Sequence, residues 1–185
     1  MTIKEYIKLK YPEALKSVRY SKSAKKVTGL TDYEKTIIYK YTDDGYVVNE
    51  TLRDSKGKKM PEFAVHLNAV LEKLPSLMSE ETLVYRGIPK TNFILNTYRN
   101  ALKENTILTE HGFIATSKSR RVACHFGQAL LIIHSKNGKS VENISKFGTD
   151  SPFNEQEVVF QSGSQFIVLD IEEENNNTII ILEEL

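Results

Sequence analysis

The chain has 185 residues, with 25 Lys and Arg against 24 Asp and Glu, a formal net charge of +1 and 40% hydrophobic residues. That length and apolar content suffice to bury a core and point to one domain over residues 1–185, while with no sustained basic block nucleic acid is not indicated as a partner. A single cysteine, Cys124, excludes an intrachain disulfide and a thiolate zinc site.

Met1 to Lys10 alternates Ile3, Tyr6, Ile7 and Leu9 with Lys and Glu. This reads as a short helix ended by Tyr11-Pro12 and not as a secretory leader. No segment approaches the ~20 apolar residues that span a bilayer, so a cytoplasmic protein with no membrane partner is expected. The basic stretch from Lys4 to Lys26 and the acidic one from Asp170 to Leu185 read as a solvated helix and a solvated tail.

Thr31 offers a cap oxygen and Glu34 stands three residues on, a capping box that opens a helix with Ile37, Ile38 and Tyr41 on its apolar face. Tyr46 to Arg53 continues a helical spacing as far as the polar loop Lys56-Gly57-Lys58-Lys59. From Pro61 through Leu74, the apolar residues Phe63, Leu67, Val70, Leu71 and Leu74 recur at helical intervals behind a proline in the first turn.

From Thr82 the pattern changes to strands. Thr82 to Arg86 is rich in β formers and is ended by Gly87 and Pro89; Phe93 to Leu102 is a short helix; Gly112 to Ser117 is a second strand. Arg121 to Gln128 reads as a helix, Ala129 to His134 as a buried strand and Asn137-Gly138 as a turn. Three more strands follow, Glu157 to Phe160, Phe166 to Ile171 and Thr178 to Leu182, the first two joined at Ser162-Gly163 and the last two across Glu172 to Asn177. Helices first and strands afterwards give an α+β class, with a helical lobe over residues 1–80 packed on a mixed or antiparallel sheet core over residues 81–185.

The segment Glu155-Gln156-Glu157 carries the chemistry. In an extended chain residues i and i+2 share a face, so Glu155 and Glu157 would enter one cavity while Gln156 faces away. Two surface acids on a solvated strand edge are the plain alternative. The four histidines, His66, His111, His125 and His134, show no metal-binding spacing. Cys124 and His125 are neighbours that diverge on a helix, which argues for a structural cysteine.

In chain order, Tyr85-Arg86-Gly87, then Gly112-Phe113-Ile114-Ala115-Thr116-Ser117, then Glu155-Gln156-Glu157 resembles the arginine–serine–glutamate class of mono-ADP-ribosyltransferases. That class takes in actin- and Rho-modifying bacterial toxins, vertebrate ectoenzymes and enzymes of T-even phages. The resemblance covers roughly residues 30 to 185. It implies an ADP-ribosyltransferase fold, NAD as substrate with no metal, release of nicotinamide, and transfer to an arginine of a host protein by a monomeric effector or toxin.

By the same resemblance, Glu157 would stabilise positive charge on the ribose and Glu155 would orient the acceptor guanidinium, with Arg86 clamping the diphosphate. Gly87 would let the backbone approach the nicotinamide amide. Asn49 and Arg53, four apart on one helix face, would line the NAD cleft, and Phe126 would stack on nicotinamide unless it is a core residue. Ala115 stands where the class usually has a serine that helps hold the catalytic glutamate, and the task would pass to Thr116 or Ser117. Two other functions stay open: an NAD glycohydrolase, in which water accepts the ribose, and an inactive homologue that binds a host protein.

Overall fold

A computed structural model describes residues 1–77, 82–174 and 177–185. Among these, six helices precede the first strand: α1 (Ile3–Lys10), α2 (Pro12–Tyr20), α3 (Lys22–Lys26), α4 (Asp32–Asp44), α5 (Tyr46–Asp54) and α6 (Glu62–Leu71). Both sides of the capping box at α4 form, Glu34 N–H donating to Thr31 Oγ1 at 3.3 Å and Thr31 N–H to Glu34 Oε2 at 2.7 Å. An unanticipated second box, Thr2 with Glu5, opens α1. Pro12 does end α1, but it also starts α2, because a ring that cannot donate is tolerated in a first turn where that N–H would be unpaired anyway.

The rest is mostly strand: β1 (Leu83–Ile88), β2 (Leu108–Thr109), β3 (Ile114–Ser117), β4 (Ala129–His134), β5 (Lys139–Ser140), β6 (Glu157–Phe160), β7 (Gln165–Glu174) and β8 (Asn177–Glu184), with α7 (Asn92–Glu104) and α8 (Arg120–Ala123) between them. These strands form one sheet in the order β2-β7-β8-β4-β1-β3-β6-β5. The pair β4 and β8 is parallel and the other pairs are antiparallel, so the sheet is mixed and the α+β reading holds.

Several boundaries differ from those read in the sequence. β1 runs through Gly87 to Ile88, since Gly87 pairs with Leu130 of β4. The expected helix from Arg121 to Gln128 shrinks to Arg120–Ala123. There the chain must turn for Gly127, whose Cα packs so closely on Ile88 that a Cβ would lie 2.3 Å from its carbonyl oxygen. β7 and β8 extend into the segment expected to join them, and residues 175–176 of that joint, like the expected lobe boundary at 80/81, lie outside the described residues. The short strands β2 and β5 carry too few residues to show a period.

Two clusters of buried side chains sit on the sheet. One joins α1, α4, α5 and α6 to β3 and β6 through Ile37, Ile38, Leu52, Leu67, Leu71, Phe113 and Val159. The other gathers β1, β4, β7 and β8 around Val84, Ile133 and Ile180, with Leu95 and Ala101 of α7. Between them, β1 meets β3 at one register position, Tyr85 opposite Ser117. The two halves of the sheet part beyond that point, and a cavity lies in the opening.

Candidate active site

A cavity of about 310 Å³ occupies this opening, with Arg86 and Gly87 of β1, Ala115 and Ser117 of β3, Phe126 after α8, and both Glu155 and Glu157 on its wall. Arg86 is held by strand geometry on β1, and its Nη1 donates to the carbonyl oxygen of Ala115 at 2.6 Å. One edge of the guanidinium is thus spent on backbone, and its other donors make no hydrogen bond among the described residues.

Glu157 starts β6, opposite Ser117 in the β3 ladder, and is 6% exposed. Burial pushes its carboxyl up to about 7; a hydrogen bond from Ser145 and the charge of Arg86 work downward against it, and Glu155 adds to the rise. Its Oε2 accepts from Ser145 Oγ at 2.7 Å. Desolvation also raises the carboxyl of Glu155 above its ordinary range. Tyr41, pushed up to about 12 by burial, lies in the field of Arg86, Glu157 and Arg53.

Glu155 and Glu157 do face one cavity, but strand alternation is not the reason. β6 begins only at Glu157, and Gln156 takes a left-handed backbone with φ 49°. A side-chain acceptor in Asn154 receives Gln156 N–H at 2.9 Å, and Gln156 O accepts from Lys118 N at 3.1 Å. The doublet is therefore a fixed turn feeding a strand, a conformation that a non-glycine residue adopts only when neighbours impose it.

The hydroxyls of β3 support this turn from below. Ser117 Oγ donates to Glu155 O at 2.7 Å, and Thr116 Oγ1 donates to Val158 O at 2.8 Å. Neither reaches the Glu157 carboxylate, contrary to the expectation that one of them replaces a serine at Ala115. Ser145 was missed because it lies in the segment between β5 and β6, where no periodic pattern points at the site.

Asn49 and Arg53 share one face of α5, as their spacing requires, yet neither lines the cavity. Asn49 Oδ1 accepts from Phe113 N at 2.7 Å, and Arg53 Nε pairs with Glu110 Oε1 at 2.8 Å. Glu110 Oε1 also receives Gly112 N–H at 2.9 Å. A loop entering β3 has two unpaired N–H groups to satisfy, and these side chains fix it; they brace the strand that carries Ala115 and Ser117.

Phe126 is 60% exposed, so the core reading of that ring does not hold. Gly87 lacks a Cβ for a different neighbour than expected: one built there would stand 2.3 Å from Ala123 O and 2.7 Å from Gly127 N. The residue admits the backbone of the α8 segment, which closes one wall of the cavity. Cys124 is exposed and not structural. Among the described residues no group of three or more His, Cys, Asp or Glu side chains could hold a metal ion, and no helix is long and apolar enough to cross a membrane.

The sequence matches the family described as ADP-ribosyltransferase exoenzyme over residues 13–185. It is 28% identical over 165 residues to the NAD(+)--protein-arginine ADP-ribosyltransferase Tre1 of Serratia proteamaculans (strain 568), covering 85% of this chain and 33% of that protein. It is likewise 28% identical over 160 residues to Tre1 of Pseudomonas putida (strain GB-1), covering 84% of this chain and 30% of that one. The chain thus spans about a third of the length of the curated relatives it matches.

Among solved structures, exoenzyme S from Pseudomonas aeruginosa, in complex with human 14-3-3 protein beta and bound to carba-NAD, superposes with a TM-score of 0.77 at 19% identity, over 98% of this chain and 86% of that one. The ADP-ribosyltransferase Vis in complex with agmatine superposes with a TM-score of 0.65 at 22% identity, over 100% of this chain and 86% of that one. These likenesses show a common fold, and the match over residues 13–185 shows that the chain belongs to the ADP-ribosyltransferase exoenzyme family.

Proposed function

We propose that residues 1–185 act as one catalytic unit that transfers ADP-ribose from NAD to an arginine of a target protein, releasing nicotinamide, as a monomer in the cytoplasm of the cell where that target resides. The observation that carries this reading is the convergence of Glu155, Glu157 and Arg86 on one cavity where the sheet parts. The names of the Tre1 relatives, both protein-arginine ADP-ribosyltransferases, and the carba-NAD and agmatine bound to the two structural neighbours support it.

Arg86 holds the diphosphate through the donors not given to Ala115, a permanently charged fork suited to phosphate oxygens. Phe126, on the exposed rim, stacks on nicotinamide. The bond between ribose C1′ and the nicotinamide nitrogen then breaks, and its electron pair leaves with nicotinamide. Ionised Glu157 opposes the positive charge that develops on the sugar, a contribution realised mainly in the transition state. A guanidinium nitrogen of the acceptor forms the new bond to C1′ and its proton passes to Glu155, whose desolvated carboxyl has a raised proton affinity.

Purified protein incubated with labelled NAD and either agmatine or a cell lysate tests this. A labelled guanidine adduct, or a labelled protein band released by neutral hydroxylamine, is the expected result. Free ADP-ribose alone would make the chain an NAD glycohydrolase, and intact NAD would make it an inactive relative.

A further inference from the structure

Behind the cavity wall formed by Glu155 and Glu157, the loop between β5 and β6 brings the hydroxyl of Ser145 to the Glu157 carboxylate. We propose that Ser145 is the positioning residue of the active site, fixing Oε2 of Glu157 so that Oε1 is presented to the ribose; the inference rests on the assignment of Glu157 as the catalytic carboxylate.

Three sets of contacts carry it. First, the hydroxyl has a fixed direction. Its oxygen accepts the N–H of Phe147 at 3.2 Å, so its own proton is directed to Glu157 Oε2 at 2.7 Å. Oε1 makes no hydrogen bond among the described residues, which leaves it for a ligand hydroxyl.

Second, the loop around Ser145 is latched to the helical lobe. Lys146 N–H donates to Thr42 Oγ1 of α4 at 2.9 Å, and its ammonium pairs with Asp43 of the same helix. Further along, Asp150 Oδ2 accepts from Ser21 Oγ at 2.8 Å and from Ser23 N at 3.1 Å at the start of α3. A hydroxyl carried by a free loop would lose its alignment to conformational entropy; this one is pre-placed.

Third, the loop is tied back to the doublet itself. Val141 N–H donates to Glu157 O at 3.0 Å and Glu155 N–H to Phe147 O at 2.8 Å. Ser145 thereby moves with both acids. On β3, Ala115 offers no side-chain donor, and Thr116 and Ser117, the latter opposite Glu157, are committed to backbone carbonyls. The tether comes from sequence beyond the sheet because no strand residue supplies it.

The charged and titratable groups around Glu157 are Arg86 from β1, Glu155 from the preceding turn and Tyr41 from α4. A Ser145→Ala substitution leaves all three in place and removes one donor to the ionised form. Proton binding to Glu157 should tighten, and its titration should move to higher pH.

Two measurements on the whole chain test this. The Glu157 carboxyl is titrated by carbon-13 NMR of glutamate-labelled protein, assigned by its loss in Glu157→Gln, in wild type, Ser145→Ala and Ser145→Thr. In parallel, kcat and KM for NAD are measured with agmatine across pH. Ser145→Ala should titrate higher, lose about ten- to hundredfold in kcat with KM for NAD within about twofold, and show an acid limb displaced upward. Ser145→Thr, which keeps the hydroxyl, should stay near wild type in both.

Unchanged titration and kcat in Ser145→Ala, beside an inactive Glu157→Gln, would overturn the tether and leave the functional reading standing. A wild type that cleaves no NAD would sink the functional reading, while the titration would still decide the tether. Should Ser145→Ala fail to fold, Ser145→Cys, with a weak S–H donor of similar size, takes its place with the same expected direction.

Discussion

Arg86 of β1 donates to the carbonyl of Ala115 on β3 across the point where these neighbouring strands separate. A guanidinium can make that bond and still present a planar, two-pronged set of donors, which the compact ammonium of lysine cannot. Arg86→Lys should keep at most one of the two tasks. NAD affinity is expected to fall at least about tenfold, the value of one charged hydrogen bond, and calorimetry giving wild-type affinity would remove Arg86 from the diphosphate.

Glu157→Gln should lower NAD cleavage about 10²–10³-fold, because the lost charge acts in the transition state. Wild-type kcat should fall as pH drops below about 7, since the ionised form is required and burial has raised its proton affinity. A mutant retaining more than a third of wild-type turnover would show the carboxylate to be misassigned.

Stability should respond in the opposite sense. A folded-state value near 7 against an ordinary 4.5 means that the native state binds the proton more tightly than the unfolded chain. The wild type is therefore most stable below about 4.5 in this respect and loses that increment as pH rises through 7. Glu157→Gln should gain on wild type by up to the order of 3 kcal/mol between pH ~5 and ~8. Denaturant unfolding at the two pH values checks this, and a constant difference would contradict it.

Glu155→Gln should abolish labelling of protein or agmatine while leaving slow hydrolysis of NAD, because activation of the acceptor and scission of the glycosidic bond fall to different acids. Equal loss of both activities would argue that the pair acts as one unit.

Gln156 links the two acids through a left-handed backbone. Gln156→Gly should be tolerated, since glycine adopts that conformation without strain, whereas Gln156→Val should cost ~1–3 kcal/mol and displace the carboxylates. Matching melting temperatures for the two variants would show that the turn tolerates a β-branched residue there.

Much of the site was legible in the sequence. Thr31 with Glu34 announced α4, runs of β formers and apolar residues announced β1, β4, β6 and β8, and the ordered residues Arg86, Ala115 to Ser117, Glu155 and Glu157 fall on the cavity wall. These signals are local, arising from caps, periods and short motifs within one element. Three features were decided only by tertiary packing. The left-handed Gln156 is held from across the fold by Lys118, beside its near neighbour Asn154, the duty of Asn49 and Arg53 is set by a loop about sixty residues away, and Glu157 takes its hydrogen bond from a loop latched to α4. Each depends on groups far apart in the chain meeting at hydrogen-bond distance, and no period or propensity in a linear sequence encodes such a meeting.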